Sequence, residues 1–198
     1  MKHLLLTTIT AVLLVGCATT QSPEPHTTKV PDISIHKAAG DGNIVAVKQH
    51  LAAGTDVNVK GMGNMTPLHD AVAIGHKEVS ELLIAKGADV STKDGSGRTL
   101  LHFAAQKGHN EVAELLIANS ADVNAKERGG RTPLHTAAYW GGKEVAALLL
   151  AKGAEVNARD KSGATPLGGA IRRKHSELAD LLRKNGGKTG EELKAEGK

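Results

Sequence analysis

The sequence predicts an all-α solenoid of five stacked helix-turn-helix repeats joined by β-turn or hairpin loops. Three observations predict it. The tetrapeptide Thr66-Pro67-Leu68-His69 returns as Thr99-Leu100-Leu101-His102, Thr132-Pro133-Leu134-His135 and Thr165-Pro166-Leu167-Gly168, 33 residues apart each time. A fixed period of roughly 20–50 residues marks units that cannot bury an apolar face alone and must stack. Further phases keep the same register: Leu82-Leu83, Leu115-Leu116, Leu148-Leu149 and Leu181-Leu182 form one, and Lys86-Gly87-Ala88-Asp89-Val90 with its later copies forms another. Finally, 198 residues hold only three aromatic side chains, Phe103, Tyr139 and Trp140. One large core would use more, whereas small repeated interfaces are filled by Leu, Ile, Val and Ala.

Residues 1–16 read as an export signal. Lys2 and His3 make a basic start, and Leu4 to Val15 is apolar apart from threonines. That run is too short to span a bilayer, which takes about 20 residues. It ends in Leu14-Val15-Gly16-Cys17, which resembles the lipobox of bacterial lipoproteins. The resemblance implies cleavage before Cys17, the chain's single cysteine, and diacylation of its thiol. It also implies that Ala18 permits transfer to the outer membrane, with the module facing the periplasm. Residues 17–32 hold the lipidated Cys and a linker with Pro23, Pro25 and Pro31 and no aromatics. Extended, it reaches at most about 50 Å.

Within a repeat, each element has a local cause. Thr66 can cap a helix, and Pro67 suits its first position, where a missing N–H costs nothing. Ala71 and Ala73 allow close helix packing, and Gly75 permits the left-handed turn that ends the helix. A second helix follows over about His76 to Lys86, with Val79, Leu82 and Leu83 at helical spacing, and Gly87 stops it. The polar, Gly-rich stretch from Asp89 to Arg98 suits a β-turn or short hairpin. The boundaries are 33–65, 66–98, 99–131, 132–164 and 165–187. The first copy is degenerate, with Gln49 and His50 in place of the Leu pair. The last turns polar at Arg172, Arg173, Lys174 and Arg183. Both read as caps with a polar outer face. Residues 188–198 are expected as a solvated, partly ordered tail in which Thr189 and Glu192 fit a capping box.

In length and motif this unit resembles the ankyrin repeat. The resemblance implies two helices and a turn per unit, a TPLH histidine bonded to backbone, and protein partners held on the concave face of hairpin tips and first helices.

The chemistry of the side chains points away from catalysis. No Ser-centred elbow, HExxH or phosphate-cradling loop is present, so no catalytic residue is assigned. Of ten histidines, His69, His102 and His135 and also His76, His109 and His175 recur in register, about 10 Å apart when stacked and too far to share a metal, so no metal and no cofactor are expected. Net charge is +4, and losing Lys2 leaves 24 basic against 21 acidic residues, or +3. That balance is too weak for nucleic-acid binding. The expected partner is a protein, bound by a monomeric module.

The positions that do not repeat are the candidates for contact. Tyr139 and Trp140 stand where other copies have Ala73-Ile74, Gln106-Lys107 and Arg172-Arg173. Arg98, Arg131, Arg172 and Arg173 fall at neighbouring positions, and Tyr, Trp and Arg are enriched at interface hot spots. Either the two aromatics touch a partner or they cover the seam to the last repeat. Met62 and Met65 flank a hairpin tip in which Asn64 replaces the turn Gly, and they suit an adaptable contact or mere drift. The function expected is a lipid-anchored protein-interaction module. A dedicated protective partner of an envelope enzyme and a His-based metal or small-molecule binder remain as alternatives.

Overall fold

A computed structural model describes residues 30–197; the expected signal, Cys17 and most of the expected linker lie outside them. Five helix pairs follow one another: α1 (Ile35–Gly40) with α2 (Ile44–Ala52), α3 (Pro67–Ile74) with α4 (Lys77–Ala85), α5 (Leu100–Lys107) with α6 (Asn110–Ala118), α7 (Pro133–Trp140) with α8 (Lys143–Ala151), and α9 (Pro166–Arg172) with α10 (Ser176–Lys184). A short helix, α11 (Gly190–Ala195), ends the fold. The first helices pack in series, α1 on α3, α3 on α5, α5 on α7 and α7 on α9, and the second helices form a parallel outer series.

The core is a set of columns one repeat apart. Leu68, Leu101, Leu134 and Leu167 make one, Ala71, Ala104, Ala137 and Ala170 the next, and Leu83, Leu116 and Leu149 a third; all are fully buried or nearly so. Each buried Leu contributes about 1.5–3 kcal/mol of transfer free energy, and the methyl-sized Ala column lets first helices approach closely. Of each Leu pair the second member is buried and the first only partly so, because adjacent helical positions point about 100° apart.

The cap chemistry follows the tetrapeptide. The Thr66 N–H donates to His69 Nδ1 at 3.1 Å, and Thr99 and Thr132 do the same to His102 and His135. Gly75, Gly108 and Gly141 close the first helices in the left-handed region at φ 94°, 74° and 82°. In the last repeat Lys174 takes that conformation at φ 62°, where a Cβ is unfavourable. The loops are tight turns with a single antiparallel bridge, Lys93 to Thr99, among the described residues. Their tips are cross-linked: Gly95 N–H donates to the Gly63 carbonyl (2.6 Å), Arg128 to Ser96 (3.2 Å) and Lys161 to Gly129 (2.9 Å). Asn64 sits at φ 59°, so the altered turn keeps its left-handed residue.

Asparagine bridges tie the outer ends of the repeats. Asn58 donates to the Gly87 carbonyl (3.2 Å) and accepts from Asp89 N–H (2.9 Å). Asn124 spans Gly153 and Glu155 in the same way, and Asn157 spans Gly186 and Lys188. Ser91 holds the equivalent place between the second and third repeats and bonds instead to Asp89 of its own loop (2.7 Å).

The two ends depart from the sequence reading. His50 does not present a polar outer face; it is buried, and its Nε2 lies 2.6 Å from the Ile33 carbonyl. An imidazole can fill a Leu position when a backbone carbonyl satisfies its N–H. Nor does the last repeat fray after Gly187. Thr189 caps α11 with Glu192 as expected, and the helix then docks: Leu193 is only 6% exposed, and Thr165 Oγ1 donates to the Lys188 carbonyl (2.7 Å). Burial of this leucine and the carbonyl bond to Thr165 hold the short helix to the last repeat.

Candidate protein-binding surface

Turn chemistry sets two of the predicted arginines. Asp94 Oδ1 accepts the N–H groups of Ser96 and Arg98, both at 2.8 Å, and Oδ2 accepts Arg98 Nε at 2.8 Å. Burial pushes the Asp94 carboxyl up, but these hydrogen bonds and the guanidinium charge outweigh it and hold the group below its ordinary range. The Arg98 guanidinium then lies 4.3 Å from the centre of the Phe103 ring, a cation–π contact that fixes its plane. One repeat on, Glu127 Oε1 accepts Arg131 Nε at 3.0 Å. Glu127 is likewise held low: burial raises it, and bonds from Gly129 and Arg131 lower it further.

The TPLH histidines position these turns. Because a backbone N–H donates to Nδ1, the hydrogen must sit on Nε2 in the neutral ring. His102 Nε2 donates to the Arg131 carbonyl (2.9 Å) and His135 Nε2 to the Ala164 carbonyl (3.1 Å), as the resemblance implies. Burial lowers the pKa of both. His69 departs from the pattern. Burial takes its pKa from 6.5 to about 4, and its Nε2 is buried without a partner among the described residues. Its ring meets Phe103 edge-on at 5.6 Å.

The two adjacent aromatics divide the roles between which the sequence leaves a choice. The Tyr139 ring faces the last repeat, with the Arg173 guanidinium 4.2 Å from its centre, and the Tyr139 carbonyl lies 3.2 Å from His175 Nε2. Trp140 meets Tyr139 edge-on at 5.5 Å and is 51% exposed. Tyr139 therefore seals a seam and Trp140 is open to solvent.

Arg98, Arg131, Tyr139, Trp140 and Arg172 converge on one concavity of about 380 Å³, completed by Gln106, His135, Thr136, Asp160, Ala164, Thr165 and Gly169. A Cβ at Gly169 would meet nothing within 4 Å, so this glycine leaves the floor open. The methionines lie elsewhere. Met62 is 94% exposed at its tip. Met65, expected as its companion in an exposed contact, is partly buried and packs on the core, because it enters the extended residue before the Thr66 cap. Sequence reasoning also passed over one phase, the residue after the TPLH histidine. It reads Asp70, Phe103, Thr136 and Gly169, and this variation was the available signal: Phe103 orients Arg98, while Thr136 and Gly169 line the concavity. Among the described residues, no group of three or more His, Cys, Asp or Glu is gathered as a metal site, and no helix is long and apolar enough to cross a membrane.

Comparisons with known proteins agree with this architecture. A family model described as ankyrin repeats (3 copies) matches residues 35–127 and 122–192. A curated relative, acyl-CoA-binding domain-containing protein 4 of Oryza sativa subsp. japonica, is 45% identical over 49 residues, which are 25% of this chain and 15% of that protein. The match thus covers less than a fifth of that relative's length. Two overlapping matches spanning most of the chain, the 33-residue helix pairs and the Thr-His caps have a common explanation: the chain belongs to the ankyrin-repeat family.

Proposed function

We propose that this chain is a non-catalytic, lipid-anchored module that holds a protein partner at the bacterial cell envelope, with the partner seated on the concavity around Trp140. Ankyrin repeats generally mediate protein–protein interaction. The observation that carries the reading is the convergence of residues at positions that vary between copies: Arg98, Arg131, Tyr139, Trp140 and Arg172 come from four repeats to line one hollow. Residues shared by every copy serve caps and columns, and none of these is shared by every copy. Leu14-Val15-Gly16-Cys17 supports the anchor, Ala18 an outer-membrane position facing the periplasm, and the proline-containing, aromatic-free stretch within residues 17–32 a tether.

A photo-crosslinking residue at Trp140, used in cells of the native host, tests the docking site. A discrete adduct that disappears in the Gly169→Met variant supports it, since methionine favours helix and fills the hollow. No adduct with a folded protein refutes it. The anchor has its own readout: Cys17→Ser should abolish labelling by radioactive palmitate and release the chain from the membrane fraction. Retention of label discards the lipid assignment.

A further inference from the structure

We propose that the concavity takes an extended acidic segment of its protein partner, with a carboxylate on Arg131 and Arg172 and an apolar or aromatic side chain against the Trp140 indole. This rests on the docking reading above and names the chemistry of what docks.

The argument is one of which charges face outward. Two of the arginines come with carboxylates, so counting charge suggests a neutral surface. Exposure decides otherwise. The Asp94 and Glu127 side chains are 5% and 7% exposed, whereas those of Arg98 and Arg131 are 36% and 56% exposed. The acids lie under the turns, where they accept backbone N–H groups as well as their arginines, and the guanidinium groups are the more exposed partners. Asp160, the acid of the concavity itself, is tied into its own turn: its Oδ1 accepts Ser162 N–H, Ser162 Oγ–H and Ala164 N–H at 2.6–2.9 Å. What the hollow offers an incoming group is therefore donors.

Those donors are partly free and partly held rigid. Arg172 has no ion-pair partner among the described residues. Arg131 engages Glu127 through Nε at 3.0 Å, which leaves its terminal nitrogens to meet a carboxylate. Arg98 is locked between Asp94 and the Phe103 ring, so it loses little freedom on binding. Beside these donors stands a half-exposed indole. A hollow of about 380 Å³ admits a few side chains but no folded element. An acidic residue next to an apolar one on an extended strand meets both features.

The test uses the native chain and a displayed library of random peptides of about twelve residues, some 40 Å when extended. Trp140 is the chain's only tryptophan, so its emission reports binding at this place. Selected peptides are expected to be enriched in Asp and Glu beside Phe, Leu or Met. Replacing each acid by its amide should weaken a selected peptide by about tenfold or more, the loss of charge-assisted hydrogen bonds. Arg131→Gln and Arg172→Gln should each weaken it, added salt should weaken it, and Gly169→Met should abolish it with the melting midpoint retained. Selected peptides that show no acidic enrichment but are still blocked by Gly169→Met overturn the acid requirement and leave the docking site standing. Peptides blocked by none of these variants overturn both. Failure to enrich any peptide, or displacement of the selected peptides by a mixed-sequence single-stranded DNA that binds more tightly, also overturns the proposal.

Discussion

Replacing Ser91 by Asn should strengthen the junction between repeats 66–98 and 99–131. At the other outer junctions an Asn side chain makes two hydrogen bonds to the next repeat, as Asn124 does at 3.1 Å to the Gly153 carbonyl and 2.8 Å from Glu155 N–H. The register places the Ser120 carbonyl and the Asp122 N–H opposite position 91. Each bond contributes a net ~1 kcal/mol. Against this stands the loss of the Ser91 Oγ bond to Asp89 at 2.7 Å, exposed and of similar size; the Ser91 N–H bond to Asp89 survives, as it does at Asn124. The expected gain is about 1 kcal/mol, a rise of roughly 2–4 °C in the melting midpoint for a chain of this size. Urea unfolding followed by circular dichroism gives the global value. Hydrogen exchange at Ala121, whose amide bonds to Leu116 at 3.0 Å, shows whether the gain is at the junction. An unchanged or lower midpoint would refute the assignment of the Asn bridge as a stabilising rung.

Two further predictions concern caps and titration. Lys174→Gly should stabilise by about 1 kcal/mol, because glycine occupies the same left-handed position at 75, 108 and 141 without strain; a lowered unfolding midpoint would discount strain there. Acid should weaken the fold before the carboxylates titrate. His69 is lowered from 6.5 to about 4, so the unfolded chain takes up a proton first. The stability from a neutral His69 is whole above pH 6.5, falls as pH drops toward 4, and amounts to ~3 kcal/mol when fully lost. His102 and His135 add in the same direction, and Asp94 and Glu127, held low, extend the loss to lower pH. Urea midpoints at pH 7, 5.5 and 4 check this, and a flat profile would contradict the buried neutral rings.

What the sequence makes legible follows from the range of the forces involved. The helix expected over His76 to Lys86 spans Lys77–Ala85, because caps and stops act within one turn. The convergence of Arg98, Arg131 and Arg172 with Trp140 was legible too, since a fixed period turns residue numbers into positions on a face. Contacts set by tertiary packing were not. Met65 looks like part of a loop tip until its neighbour Thr66 is seen to fix it against the core. His50 reads as polar until the Ile33 carbonyl reaches it. Lys188 to Lys198 reads as solvated charge, yet Leu193 within it is buried and Lys188 is bonded to Asn157 and Thr165.

That leucine has a consequence for how copies of the chain meet. A linear stack is by geometry a heterologous interface: the last unit of one molecule resembles what the first unit of the next would pack upon, and such contacts grow into fibres rather than closing. Here α11 leaves the 33-residue register, its Leu193 is buried, and the segment leading into it is bonded to Thr165 of the last repeat. A helix held out of register beside the last repeat disfavours such end-to-end stacking.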